Sequence, residues 1–141
     1  MRPAATIVVT GRHRPHEVMF LVLSAAVGVA FAAGAKPPTT VEQLFPTWLL
    51  WTWYLLLLGS GVIGLVSIAL PNTYRALVLE LAAMHGQTAA PLLYGLALLS
   101  SGVPAAGFAV AFFLGWSGAS GWRGWQVWTA VRVVRQAGDE P

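Results

Sequence analysis

Residues 48–70 read WLLWTWYLLLLGSGVIGLVSIAL, a run of 23 without one charged side chain. An α-helix rises 1.5 Å per residue, so this run makes a rod of about 35 Å. That is enough to cross the ~30 Å hydrocarbon core of a bilayer. Val18–Ala35 adds 18 uncharged residues and Pro91–Trp122 adds 32. A fourth stretch, Thr73–Ser101, also reads as helical but carries Arg75, Glu80, His85 and Pro91. Of the 141 residues, 57% are hydrophobic and 9% charged, and the mean hydropathy is +0.68. These values lie far outside the soluble range. The expected fold is all-α: a polytopic transmembrane helix bundle of four spans with a short C-terminal interfacial helix.

Proline and charge divide the chain. Residues 1–17 form a polar lead in which Thr6–Thr10 reads as flexible, residues 18–122 a four-helix membrane domain, and residues 123–141 an interfacial helix and tail. The first helix covers Glu17–Ala35 and stops at Lys36-Pro37-Pro38, because proline cannot continue the hydrogen-bond ladder. A loop with a further break at Pro46 leads to the second helix, which ends before Pro71-Asn72. The third is expected to be about 44 Å long, kinked at Pro91 and protruding. The fourth starts at Pro104, where the missing N–H costs nothing, and runs to about Trp122. Gly124–Arg135 then reads as a separate or continuing short amphipathic helix.

Positive residues orient spans. Arg2, Arg12, Arg14, Arg75, Arg123, Arg132 and Arg135 fall on one side of a four-span arrangement and Lys36 alone on the other. Both termini are therefore expected in the cytoplasm of a bacterial cell membrane. An alternative takes Arg12 and Arg14 with the following apolar run as a signal peptide cleaved after Ala33-Gly34-Ala35. The run is long for that role. Trp48 and Trp51 at one end, and Trp122, Trp125 and Trp128 at the other, read as interfacial anchors.

The absence of cysteine removes disulfides, thiolate nucleophiles and cysteine metal sites. The net charge of +3 comes from residues at helix ends, and no basic patch interleaved with aromatics marks a nucleic-acid face. There is no phosphate loop, nucleophile motif or triad order, so neither enzyme activity nor a cofactor is expected. His13 and His16 lack a third ligand. His85 diverges from Glu80 by about 140° around the helix, so no metal site is expected.

Helix contacts are more legible. Ser24, Gly28 and Ala32, then Ser60 and Gly64, then Gly107, Ala111, Gly115 and Ala119 form rows of small residues at four-residue steps. Such rows let helices approach closely in lipid. They suit contacts inside the bundle or between copies of the chain. The third helix carries Ala76, Glu80, Ala83, Gln87, Ala90, Tyr94, Ala97 and Ser101 at alternating steps of four and three, a small and polar seam. The intervening positions include Leu77, Leu79, Leu81, Leu92, Leu93, Leu96, Leu98 and Leu99, a leucine-rich face that suits lipid. Glu80 is the one acidic residue between Glu42 and Asp139. A carboxylate at or in a membrane marks either a structural ion pair or a proton or cation site. The row that ends in Ala119 reaches Arg123 in one more step, which nominates Arg123 as its partner. Gln87 and Tyr94 supply further polar groups to the seam.

The stretches Tyr74–Ala82 (YRALVLELA) and Leu92–Leu99 (LLYGLALL), followed by Trp122-Arg123 and Trp125, resemble small four-helix membrane proteins of actinobacteria and their phages. The resemblance spans residues 48–126. It implies a helix with a leading Glu and a mid-helix Tyr, then a span ending in Trp-Arg near the cytoplasm, without an assigned activity. Gly115–Gly121 departs from that pattern in its glycine content. Three functions fit the sequence. The first is a non-enzymatic membrane component working through helix contacts with itself or a membrane partner. The others are a holin-like pore former and a small proton- or cation-coupled transporter using Glu80.

Overall fold

The computed structural model describes residues 15–71, 74–103 and 106–138. The Thr6–Thr10 lead, His13, Pro104 and the Asp139–Pro141 tail lie outside the described residues. Five helices occur among the described residues: α1 (Pro15–Ala32), α2 (Thr39–Leu44), α3 (Thr47–Ala69), α4 (Tyr74–Ser100) and α5 (Gly107–Gly138). Two of them, α1 and α3, are long and apolar enough to cross a membrane by length and composition. α4 and α5 are longer still. Arg75, Glu80, His85 and Gln87 in one, and Arg123, Arg132, Arg135 and several glycines in the other, dilute their hydropathy.

The four long helices pack in sequence order, α1 on α3, α3 on α4, and α4 on α5. Each is antiparallel to the next, as short connections require. Gly28 and Gly61 of α1 and α3 face Leu58 and Ala25, Trp53 of α3 meets Ala90 of α4, and Glu80 of α4 meets Arg123 of α5. α1 returns to α5 through Phe20, stacked on Trp116 with ring centroids 4.5 Å apart. The α1–α3 contact depends on missing side chains. A Cβ on Gly28 would lie 2.7 Å from the Leu58 Cα, and one on Gly61 would run into the Ala25 backbone. Two backbones this close gain dispersion energy that larger residues would prevent.

Two features differ from the sequence expectation. First, the connection between α1 and α3 is not a plain loop. Between Pro38 and Pro46 the chain makes the one-and-a-half-turn helix α2, with Pro38 as its N-cap. Val41 from this helix is fully buried against Trp53, Tyr54, Leu57 and Ala90, so α2 closes one end of the bundle over an aromatic cluster. Second, of the two readings of the C-terminal segment, separate or continuing, the described residues take the continuing one, not a distinct short interfacial helix. α5 continues without a break through Gly121 and Gly124 to Gly138. Glycine lowers helix propensity by about 1 kcal/mol but does not forbid a helix, and here α4 lies directly against both positions. Cβ atoms there would sit 3.6 Å from Thr88 and 3.4 Å from Met84.

α4 continues as helix on both sides of Pro91. Proline cannot donate to the Gln87 carbonyl. Neighbouring helices supply donors to two other carbonyls of the same turn. Ser117 Oγ donates to Thr88 O at 2.8 Å, and Trp53 Nε1 donates to Ala90 O at 3.0 Å.

Candidate functional site: a charged and polar seam along α4

The side of α4 turned into the bundle is the small and polar one. Ala76, Glu80, Ala83, Gln87, Ala90 and Ala97 are all buried, and Tyr94 and Ser101 are half-buried. Among the intervening leucines, Leu92, Leu96 and Leu99 are exposed, whereas Leu77 and Leu98 are buried. Leu77 packs against Val127 and Val131 of α5.

At one end of the seam, Arg123 lies between two carboxylates. Its Nη2 and Nε donate to Glu80 Oε1 at 2.8 and 3.1 Å, and its Nε lies 3.7 Å from Glu17 Oε1. The three side chains are 13%, 7% and 19% exposed for Arg123, Glu80 and Glu17. Solvent therefore screens these charges little, and the pairing offsets part of the cost of taking them out of water. Glu17 is not among the candidates nominated by the sequence. Its signal was available: it is an acid at the start of the first helix, on the Arg-rich side.

Two turns further along α4, Gln87 joins three helices. Ser24 Oγ of α1 donates to its Oε1 at 3.3 Å, and its Nε2 donates to Ser60 Oγ of α3 at 3.0 Å. Ser60 Oγ in turn donates a hydrogen bond to Leu57 O at 3.3 Å. All three polar side chains are buried. Tyr94, still further along, makes aromatic contacts instead, edge-on to Phe113 at 4.5 Å and tilted to Trp53 at 5.7 Å.

A cavity of about 40 Å³ lies between these two polar groups, walled by Glu17, Gln87, Trp116, Ala119, Ser120 and Arg123, among others. That volume admits one to about three waters. The Trp116 indole N–H is buried and has no hydrogen-bond partner among the described residues, so water there is a suitable acceptor.

The small-residue rows divide sharply. Ser24, Gly28, Ser60 and Gly64 are buried between helices, while Ala32 is exposed. Gly107, Ala111, Gly115 and Ala119 lie on the exposed side of α5. Cβ atoms on Gly107, Gly115 and Gly118 would meet nothing within 4 Å. Trp48, Trp51, Trp122, Trp125 and Trp128 are all exposed, in contrast to the buried Trp53. The chain matches no protein-family profile, no curated protein and no solved structure.

Proposed function

We propose that this chain is a small integral membrane protein of four spans, with both termini in the cytoplasm of a bacterial cell membrane. It has no chemistry of its own and acts through helix contacts, first of all with a second copy of itself. The positions of the tryptophans support four spans. Trp53 is level with Ala90 and Arg123 with Glu80. Trp48 is five residues before the first pair and Trp128 five after the second, which sets them level with about residues 95 and 75 of α4. Twenty residues of helix measure about 30 Å, the thickness of the hydrocarbon core. The two tryptophan groups thus fit opposite headgroup layers. Exposed Leu55, Val62, Leu92 and Phe112 suit the lipid between them.

The observation that carries the contact function is the open face of α5. Close approach has already been used between α1 and α3, but Gly107, Ala111, Gly115 and Gly118 turn an equally smooth surface outward. Lipid-facing helices need no such surface, and helix dimers do. The two hydrogen bonds from Arg123 to Glu80 support a structural role for that carboxylate over ion coupling. A kinship with the small membrane proteins of actinobacteria and their phages is part of this reading.

Single cysteines test it, since the chain has none. Ala111→Cys and Gly115→Cys should form disulfide-linked pairs in native membranes on mild oxidation, and Leu55→Cys and Leu96→Cys should not. Absence of linkage on α5, together with an unchanged complex size for Gly115→Leu, would remove the self-contact function.

A further inference from the structure

We propose that the outward groove between α4 and α5 binds one anionic phospholipid, with an acyl chain in the groove and the headgroup phosphate at Arg132. This inference rests on the membrane reading above. The groove has a volume of about 620 Å³, within the ~300–1,000 Å³ of small-molecule sites. Its walls include Leu81, Leu92, Gly121, Gly124, Trp125 and Trp128. The two glycines leave a trough where side chains would otherwise fill the space beside α4.

Length and charge select the occupant. From Leu81 to Leu92 is eleven residues, about 16 Å of helix, or half of a ~30 Å hydrocarbon core. A trough of that depth matches a lipid chain of one leaflet and is too short for a spanning helix of a partner. Its shallow end is bordered by Trp125 and Trp128, at the level assigned to headgroups. Arg132 is stacked 4.7 Å over the Trp128 ring, so it stands at the mouth of the trough. Leu77 packs against Val127 and Val131, which brings Arg75 to the same level, and both arginines are exposed. The acids of this end, Glu17 and Glu80, lie with Arg123 and do not line the groove. The charge presented beside the trough by the described residues is therefore positive. Basic pockets between helices on the cytoplasmic side favour anionic headgroups.

The experiment uses the full-length chain purified in mild detergent and titrated with phosphatidylglycerol or phosphatidylcholine. Retained lipid is counted by native mass spectrometry. The expected result is one phosphatidylglycerol held per chain in preference to phosphatidylcholine. Arg132→Gln, an exposed change that leaves the bundle intact, should weaken that retention roughly fivefold. Gly124→Leu should block retention of both lipids. Equal retention of the two lipids, or no effect of Arg132→Gln, would overturn the site while leaving the membrane reading intact. A chain that stays in solution without detergent would instead overturn the membrane reading.

Discussion

Replacing Arg123 by glutamine should cost more stability than replacing Glu80, and the two losses should not add. Arg123 is hydrogen-bonded twice to Glu80 Oε1 and has Glu17 at 3.7 Å, with its side chain 13% exposed. Arg123→Gln leaves two largely buried carboxylates facing each other, and stranding buried charge costs about 3–5 kcal/mol. Glu80→Gln removes charge-assisted hydrogen bonds worth about 1.5–3 kcal/mol, but Arg123 still has Glu17 nearby. The double variant no longer strands Glu80, so it should be more stable than the sum of the two losses implies, by at least ~1 kcal/mol. This range is typical of directly coupled residues. Unfolding of the detergent-solubilised protein by heat or by denaturing detergent gives all four corners of the cycle. Losses that add to within ~0.5 kcal/mol, or a larger loss for Glu80→Gln, would refute the account of this triad.

Gly28→Ala should destabilise the bundle by about 1–3 kcal/mol in the same unfolding assay, because its Cβ would sit 2.7 Å from the Leu58 backbone. Gly115→Leu should leave that stability within ~1 kcal/mol of the parent while reducing complex size on a sizing column, because the position is open outward. Gln87→Leu should cost about 1–3 kcal/mol in unfolding, since it removes two interhelical hydrogen bonds at once and such bonds are worth ~0.6–2 kcal/mol each. An unchanged melting temperature for Gln87→Leu would mean that the three-helix junction contributes nothing.

Some of this was open to reading from sequence, for identifiable reasons. Helix positions followed from apolar run length and from Pro37-Pro38, Pro46 and Pro71, since proline between two apolar runs disfavours carrying the helix across the break. The direction of α4 followed from its seam, because a helix with leucine on one side and Ala, Glu, Gln and Tyr on the other has only one side suited to close contact. Arg123 was nominated as a neighbour of Glu80 because it continues the Gly107–Ala119 row by one step, although the structure turns that row outward. α5 gave no such guide. Small residues occupy both its outer row, Gly107–Ala119, and its inner positions Gly121 and Gly124, so composition does not distinguish its faces. α2 escaped notice because six residues between prolines carry too short a pattern for any periodicity. The role of Glu17 and the Ser24–Gln87–Ser60 junction depend on which helices become neighbours, and that is a property of the tertiary packing.

The central claim is that four helices cross the bilayer with both ends of the chain inside. Single cysteines placed at Lys36, Pro71, Val103 and Gln136 in this cysteine-free chain test it directly, using a membrane-impermeant maleimide on intact cells and on inverted vesicles. Positions 36 and 103 should label from outside, and positions 71 and 136 only in inverted vesicles. Labelling of position 136 on intact cells, or of 71 and 103 from the same side, would contradict the four-span arrangement.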